Sequence, residues 1–303
     1  MLISVITPTY DRAYTLEDAY RSLLEQRVEL EWLVVDDGSA DETRDLIAHL
    51  SANAPFPVRY ELQEHAGAHA ARNRGVRGAR GEMVALLDAD DLFVPGGLDR
   101  MAGHWSRIAD PERYAGVSGL CVDETGAVIG DRFPARVLDA TWQEMTYRFH
   151  VRGEKSGLVR TDVLRACPFP TEPLGLAAEA AVWRELGRHY RVRHVNEPVR
   201  VHRLGAAERI SRRPFGANAG SLAIAHASVL NEDAAWFRHA PAAFARSAVH
   251  LTRGLCHQGV PLREQPERLR SWPARMLWGL ALPFGWALYR RDLRAARDSA
   301  QRW

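Results

Sequence analysis

Val84-Ala85-Leu86-Leu87-Asp88-Ala89-Asp90-Asp91 is a short apolar run that ends in three acidic side chains. Four apolar residues bounded by polar groups predict a buried strand, and open α/β sheets collect their ligands outside the carboxyl ends of their strands. Three carboxylates at one strand exit call for a cation. Hard divalent ions take oxygen ligands, and magnesium or manganese is commonly shared between one or two carboxylates and the phosphates of a nucleotide. The stretch therefore predicts a metal-bridged diphosphate; taken alone, it also reads as a solvated acidic turn.

Two other segments have the same form. Leu2 to Thr7 predict a buried strand stopped by Pro8, which has no amide to give to a ladder. Trp32-Leu33-Val34-Val35 lead into Asp36, Asp37 and Gly38, and Ser39 and Glu42 have capping-box spacing for a helix that follows. Val58 to Leu62 predict a third strand. Ala68 to Ala79 predict a helix carrying Arg72, Asn73 and Arg74, which leads into the strand that ends at Asp88. Strands and helices alternating at these lengths imply an α/β fold with a mostly parallel sheet covered on both faces.

The blocks ISVITPTYDR (3–12), VVDDGSADET (34–43), HAGAHAARNRGVRGARGE (65–82) and VALLDADDLFVPGGL (84–98) resemble, in that order, the nucleotide-binding half of the inverting glycosyltransferases of family 2. Those enzymes have the GT-A fold, a Rossmann-like arrangement with a mostly parallel central sheet. The resemblance implies that Pro8 and Tyr10 line the base of a nucleotide and that Asp37 accepts a hydrogen bond from the uracil imide. Such a carboxylate would oppose the acceptor that cytosine presents there, so the donor implied is a UDP- or dTDP-sugar. It further implies that Arg72 reaches the nucleotide or its phosphates and that Asp88 meets the ribose or a metal-bound water. Asp90 would then coordinate Mn2+ or Mg2+ directly, with Asp91 capping a helix or bracing the metal ligands.

Inversion at an anomeric centre needs a general base on the face opposite the departing diphosphate, so the metal ligands cannot supply it. The segment from Phe169 to Arg203 resembles the acceptor-side block of the family, in which an acidic pair opens a helix that continues to a tryptophan. Alignment on Trp183 puts Ala178-Glu179 where the family usually has Glu-Asp, which makes Glu179 the implied base, one methylene longer than the usual aspartate. The plainer reading of Glu179 is a carboxylate favoured by the helix dipole. Past the next strand, where the family often has a Tyr-Arg pair with a nearby histidine, this chain reads VHRLGAAERIS (201–211). His202 thus becomes a candidate metal ligand, with a structural histidine as the alternative, and Arg203 a candidate to neutralise the diphosphate.

A chain of 303 residues with 26% charged and 46% hydrophobic residues has the composition of an ordinary globular protein. Cys121, Cys167 and Cys256 show no Cys-x-x-Cys spacing and read as thiols of a reducing compartment. With no signal segment before the first strand, the expected location is cytoplasmic, with peripheral contact at the inner face of the membrane as an extension of that reading.

Charge divides the chain unevenly. Residues 204–303 carry a net charge of +8 and five of the nine tryptophans, whereas residues 1–203 carry −6. The expected organisation is a GT-A catalytic domain over 1–203, with a nucleotide-binding half (1–109) and an acceptor-side half (110–203), followed by a basic helical extension over 204–303. Met276 to Tyr289 form an apolar stretch too short to cross a bilayer, which predicts either an in-plane membrane segment or a helix buried against the catalytic domain or against a second subunit as a homo-oligomer contact. Basic residues without a patterned aromatic platform give no reason to invoke nucleic acid.

Between these parts, Val117–Val122 and Val128–Phe133 predict a hairpin, and Trp142–Phe149 a helix. The function expected is a metal-dependent inverting glycosyltransferase acting on a small-molecule, glycan, peptide or lipid-linked acceptor. A non-catalytic nucleotide-sugar-binding or scaffold subunit is the alternative from another class. A nucleotidyltransferase is a further one, disfavoured because no glycine-rich, lysine-bearing phosphate loop opens the chain.

Overall fold

Period-2 burial along the first strand sets up the whole arrangement: Ile3 and Val5 enter one core layer and Ile6 the other. The computed structural model describes residues 1–171, 178–203 and 215–300, positions 178 and 298–300 by backbone alone. In chain order the elements are β1 (Ile3–Thr9), α1 (Ala13–Leu24), β2 (Leu30–Asp36), α2 (Thr43–Asn53), β3 (Val58–Leu62), α3 (Ala68–Gly78), β4 (Met83–Leu86), β5 (Leu92–Phe93) and α4 (Gly97–Trp105). Then come β6 (Tyr114–Val122), β7 (Val137–Ala140), β8 (Lys155–Arg160), α5 (Thr161–Ala166), α6 (Ala178–His189) and β9 (Arg191–Val201). Three longer helices end the chain: α7 (Ala219–Glu232), α8 (Pro241–His257) and α9 (Trp272–Ala300).

The strands form one mixed sheet in the order β3-β2-β1-β4-β8-β6-β9-β5, with β7 also paired to β9. β3, β2, β1 and β4 run parallel, and β8 joins antiparallel at Met83 and Val84. Helices α1, α2 and α4 pack on one face through Leu16, Leu23, Ile47, Leu98 and Met101. The other face takes Val76 of α3, Val163 and Leu164 of α5, and Val182 and Leu186 of α6. Two compact units result, one of Met1–Thr171 with Val182–Ala207 and one of Glu172–Ala181 with Glu208–Trp303. The expected boundary at Leu204 lies outside the described residues.

Several local expectations need correction. Pro8 does not stop β1, which continues to Thr9 in register with Asp36. The ladder from β1 to β4 ends at Ile6, so a residue without an N–H is tolerated two positions later. Ser39 caps no helix: its hydroxyl accepts from the Asp11 N–H, and Asp41 instead accepts from the amide and hydroxyl of Thr43, at 3.1 and 2.5 Å. The predicted hairpin has its turn, where Asp123 accepts from the N–H groups of Thr125 and Ala127. Its return strand is reduced to one bridge, between Val122 and Val128. Glu144–Arg148 form a short π-helix within the helix expected over 142–149.

Candidate active site

The carboxyl ends of β1, β2 and β4 lie side by side, so parallel register alone gathers Pro8, Tyr10, Asp37 and Asp88 at one edge of the sheet. Tyr10 is 47% exposed, and its ring lies 4.4 Å from that of His65. Asp36, buried at the end of β2, accepts from the Ser39 N–H at 2.8 Å and from the Tyr60 hydroxyl at 2.6 Å. Burial, together with Asp36, raises the Tyr60 pKa above its ordinary value.

Asp37 is buried as well and holds the loop ahead of α3. Its Oδ1 accepts from Gln63 Nε2 (2.7 Å) and the Ala66 N–H (2.8 Å), and its Oδ2 from the Gly67 N–H (2.8 Å), with His65 Nδ1 3.0 Å away. Gly67 has φ +90°, a conformation glycine adopts without strain and which aims its N–H at Asp37. Four partners fill the acceptor capacity of a carboxylate. Of these, His65 is 62% exposed in its side chain.

The acidic triplet separates into three different environments. Asp88 Oδ1 accepts from Arg72 Nη2 at 2.6 Å, and its Oδ2 lies 3.8 Å from Arg200 Nη1. Burial pushes the Asp88 pKa upward, but Arg72 and Arg200 outweigh it and hold the group down at about 2. Asp91 is fully buried. It lies 3.0 Å from His202 Nδ1 and 3.4 Å from Arg200 Nε, and accepts from the Arg203 N–H at 3.2 Å. Desolvation raises its pKa. Asp91 caps no helix, since α4 begins six residues later. Asp90, half-buried in the turn between β4 and β5, has no hydrogen bond or ion pair with any described residue.

Arg72, expected at the nucleotide, is thus committed to Asp88, and its guanidinium lies 5.8 Å from the Phe169 ring centroid. Arg203, expected at the diphosphate, donates from Nη1 to Asp18 at 2.9 Å. His202 stands among Asp91 and Glu154, the latter at 3.6 Å. Glu179 is exposed in the first turn of α6, where its charge suits the helix dipole.

The residue that sequence reading missed is Arg200. It is buried on β9, donates to Glu154 Oε2 at 2.9 Å and also reaches both Asp88 and Asp91. Burial opposes its charge, but Cys121, Asp88, Asp91 and Glu154 more than compensate, and its pKa is raised. The signal was present: in Arg200-Val201-His202 the strand period of two sends 200 and 202 to one side. Glu154, in the loop before β8, had no such signal.

Among the described residues no group of three or more His, Cys, Asp or Glu side chains could hold a metal ion. Magnesium beside phosphates commonly takes one or two protein carboxylates and its other oxygens from phosphate and water, and Asp90 is the acid of the triplet that has no hydrogen bond or ion pair with a described residue.

Two stability predictions follow from these contacts. Arg200→Met leaves Asp91 without its guanidinium partner in a dry site and costs about 3 kcal/mol, read by chemical denaturation. Asp88, whose pKa is lowered from 3.8 to about 2 on folding, adds stability that is present in full above its unfolded value and disappears as pH falls through about 2. The stability difference between the parent and Asp88→Asn therefore shrinks as pH falls from about 4 to 2.

Residues 4–148 match the family model described as glycosyl transferase family 2. The chain carries a family 2 glycosyltransferase domain. Over 208 residues it is 27% identical to the GalNAc(5)-diNAcBac-PP-undecaprenol beta-1,3-glucosyltransferase of Campylobacter jejuni, a match that covers 67% of this chain and 64% of that protein. The chain spans from 15% to 64% of the length of the curated relatives compared with it. Among solved structures, residues 1–349 of S. aureus TarS in complex with UDP-GlcNAc share the fold at TM-score 0.65 and 20% identity, covering 99% of this chain and 92% of that one. The mannosyltransferase PcManGT of Pyrobaculum calidifontis, in complex with GDP-Man and Mn2+, matches at TM-score 0.53 and 20% identity, covering 97% and 85%. The fold is therefore GT-A, with a family 2 domain at its amino-terminal side and helices at its carboxyl end.

Proposed function

We propose that this chain transfers a sugar from a UDP- or dTDP-sugar to an acceptor, with inversion at the anomeric carbon and with a divalent metal against the donor diphosphate. Asp90 carries the reading: in a family 2 domain, at a strand exit whose other two acids are tied to arginines and a histidine, it is the carboxylate left for an external cation. Manganese or magnesium bound there would offset the charge that grows on the departing diphosphate.

The protein's own groups take the other roles. Pro8 and Tyr10 line the base. Asp88, held ionised by Arg72 and Arg200, accepts from a ribose hydroxyl or a metal-bound water. Arg72 acts on the nucleotide through Asp88, and Arg203 adds positive charge for the diphosphate. His202, with Nδ1 on Asp91, is the candidate second ligand of that metal. The catalytic unit runs to Arg203, and residues 204–303 form a basic appendage. Glu179 takes the acceptor's proton.

Asp37 reads the base. Because four donors already occupy it, the exposed His65 gives way when the uracil or thymine imide N–H arrives, and its ring keeps its place beside Tyr10. Cytosine presents an acceptor at that position and leaves two acceptors facing each other, an arrangement buried sites reject strongly. The fold alone does not choose among bases, since PcManGT binds GDP-Man.

A thermal-shift comparison of UDP-, dTDP-, GDP- and CMP-sugars with manganese tests the assignment. A uridine or thymidine donor is expected to raise the melting temperature, because a ligand at a hundred times its Kd stabilises by about 2.7 kcal/mol. Preference for GDP or CMP overturns the role of Asp37. Slow hydrolysis of the winning donor then separates an enzyme from a binding subunit.

A further inference from the structure

Helix α9 has two unlike sides. Toward α8 it buries Ala274, Trp278 and Ala281, together with Gly285, where a Cβ would stand 2.5 Å from the Val249 carbonyl oxygen. Asp292 fixes the rotation of the helix by accepting from Arg253 Nε and Nη2 at 2.7 and 2.8 Å, with His257 Nε2 at 2.9 Å. The opposite side presents Trp272, Met276, Leu280, Phe284 and Trp286, at 71%, 48%, 71%, 67% and 44% exposure. Pro273, Gly279, Pro283 and Ala287 are exposed between them, and Arg275 is the sole charged residue from Trp272 to Ala287. Those sixteen residues make a strip about 24 Å long. Directly beyond it the exposed positions turn basic, with Arg290, Arg291, Arg294 and Arg297, and Arg290 lies 5.2 Å from the Trp286 ring centroid.

We propose that this side of α9 lies in the interface of an anionic lipid bilayer, its apolar side chains among the acyl chains and its arginines on the headgroups. An apolar strip of this length is unusual on a surface facing only water. No helix among the described residues is long and apolar enough to cross a membrane, so α9 lies along the surface. Tryptophans at both ends of the strip suit the headgroup level. Charge complementarity selects an anionic surface, because Asp292, the single acid from Trp272 to Arg297, is turned to α8.

A second copy of the chain fits the strip less well. Trp272, Met276, Leu280 and Phe284 recur every four positions instead of in alternating threes and fours, and Gly279 and Pro283 leave gaps where a coiled coil would need knobs. The arginines would also find no acidic partners on a facing copy of the same side.

Flotation of the full chain with vesicles of phosphatidylcholine alone, or mixed with phosphatidylglycerol, tests the proposal without requiring transfer activity. The parent is expected to float with the anionic vesicles and to be released by high salt. Leu280→Glu with Phe284→Glu changes two exposed side chains, and it is expected to keep the melting temperature and weaken binding at least tenfold. Arg290→Glu with Arg291→Glu and Arg294→Glu is expected to do the same, at roughly fivefold per arginine near an anionic surface. The proposal is overturned if the parent does not float, if it floats equally with both vesicle types, or if the Leu280/Phe284 variant binds like the parent. A concentration-dependent dimer that this variant dissociates, with no flotation, assigns the strip to a second copy instead.

Discussion

Glu179→Gln is expected to lower sugar transfer by roughly two to four orders of magnitude while leaving donor binding intact. The substitution preserves size and hydrogen bonding but removes the proton acceptor, and an attacking hydroxyl that cannot lose its proton is a poor nucleophile. Glu179 is exposed and sits at a helix start, where the dipole contribution of a first-turn carboxylate is under about 1 kcal/mol. That separates the two readings of the residue: a base loses kcat, whereas a dipole carboxylate loses a little melting temperature and no activity. Glu179→Asp is expected to retain part of the activity, since an aspartate is what the resembling enzymes usually have there. The acidic limb of the parent's pH–rate profile should vanish in the Gln variant. Full transfer by Glu179→Gln, measured with saturating donor, would remove Glu179 from the mechanism and send the search for a base to other acids, beginning with Asp123.

Asp90→Asn is expected to abolish the manganese-assisted part of UDP binding and to cut turnover by roughly two to three orders of magnitude, the size of a lost Lewis-acid contribution of several kcal/mol. The fold should not notice, because Asp90 has no hydrogen bond or ion pair with a described residue that the amide would forfeit. Asp91→Asn is the informative contrast. Asp91 is fully buried against Arg200, His202 and the Arg203 amide, so its neutralisation disturbs stability first and activity as a consequence. Calorimetry of UDP binding with and without manganese, in parent and both variants, distinguishes these cases. Equal metal dependence in Asp90→Asn and the parent would defeat the metal-bridge assignment.

The elements around the donor site were legible in the sequence because each is specified locally. An apolar run with an acidic exit predicts a strand wherever it occurs in the chain, and β2, β3, α3 and β4 form within a residue or two of their expected ends. The region from 117 to 149 was legible only in part. There the turn is fixed by Asp123 and its own neighbours, whereas the length of the return strand depends on partners far away in sequence. Pro8 belongs to the second kind as well: its missing N–H matters only if a strand lies on that side, and the sequence does not say where the ladder to β4 ends.

What the sequence determined by itself was chemical type: a GT-A sheet, and an acidic triplet at a strand exit in a family 2 domain. Identical side chains three positions apart cannot be told apart by sequence, because burial and partners differentiate them. Tertiary structure made that division. Arg200 on β9 and His202 just past it, more than a hundred residues away, come to Asp91; Arg72 arrives from α3 and takes Asp88; Asp90 is left with no hydrogen bond or ion pair to a described residue. A carboxylate is fixed in its charge by the residue type, but whether it braces a loop or waits for a cation depends on which opposite charges the folded chain brings within about 4 Å of it.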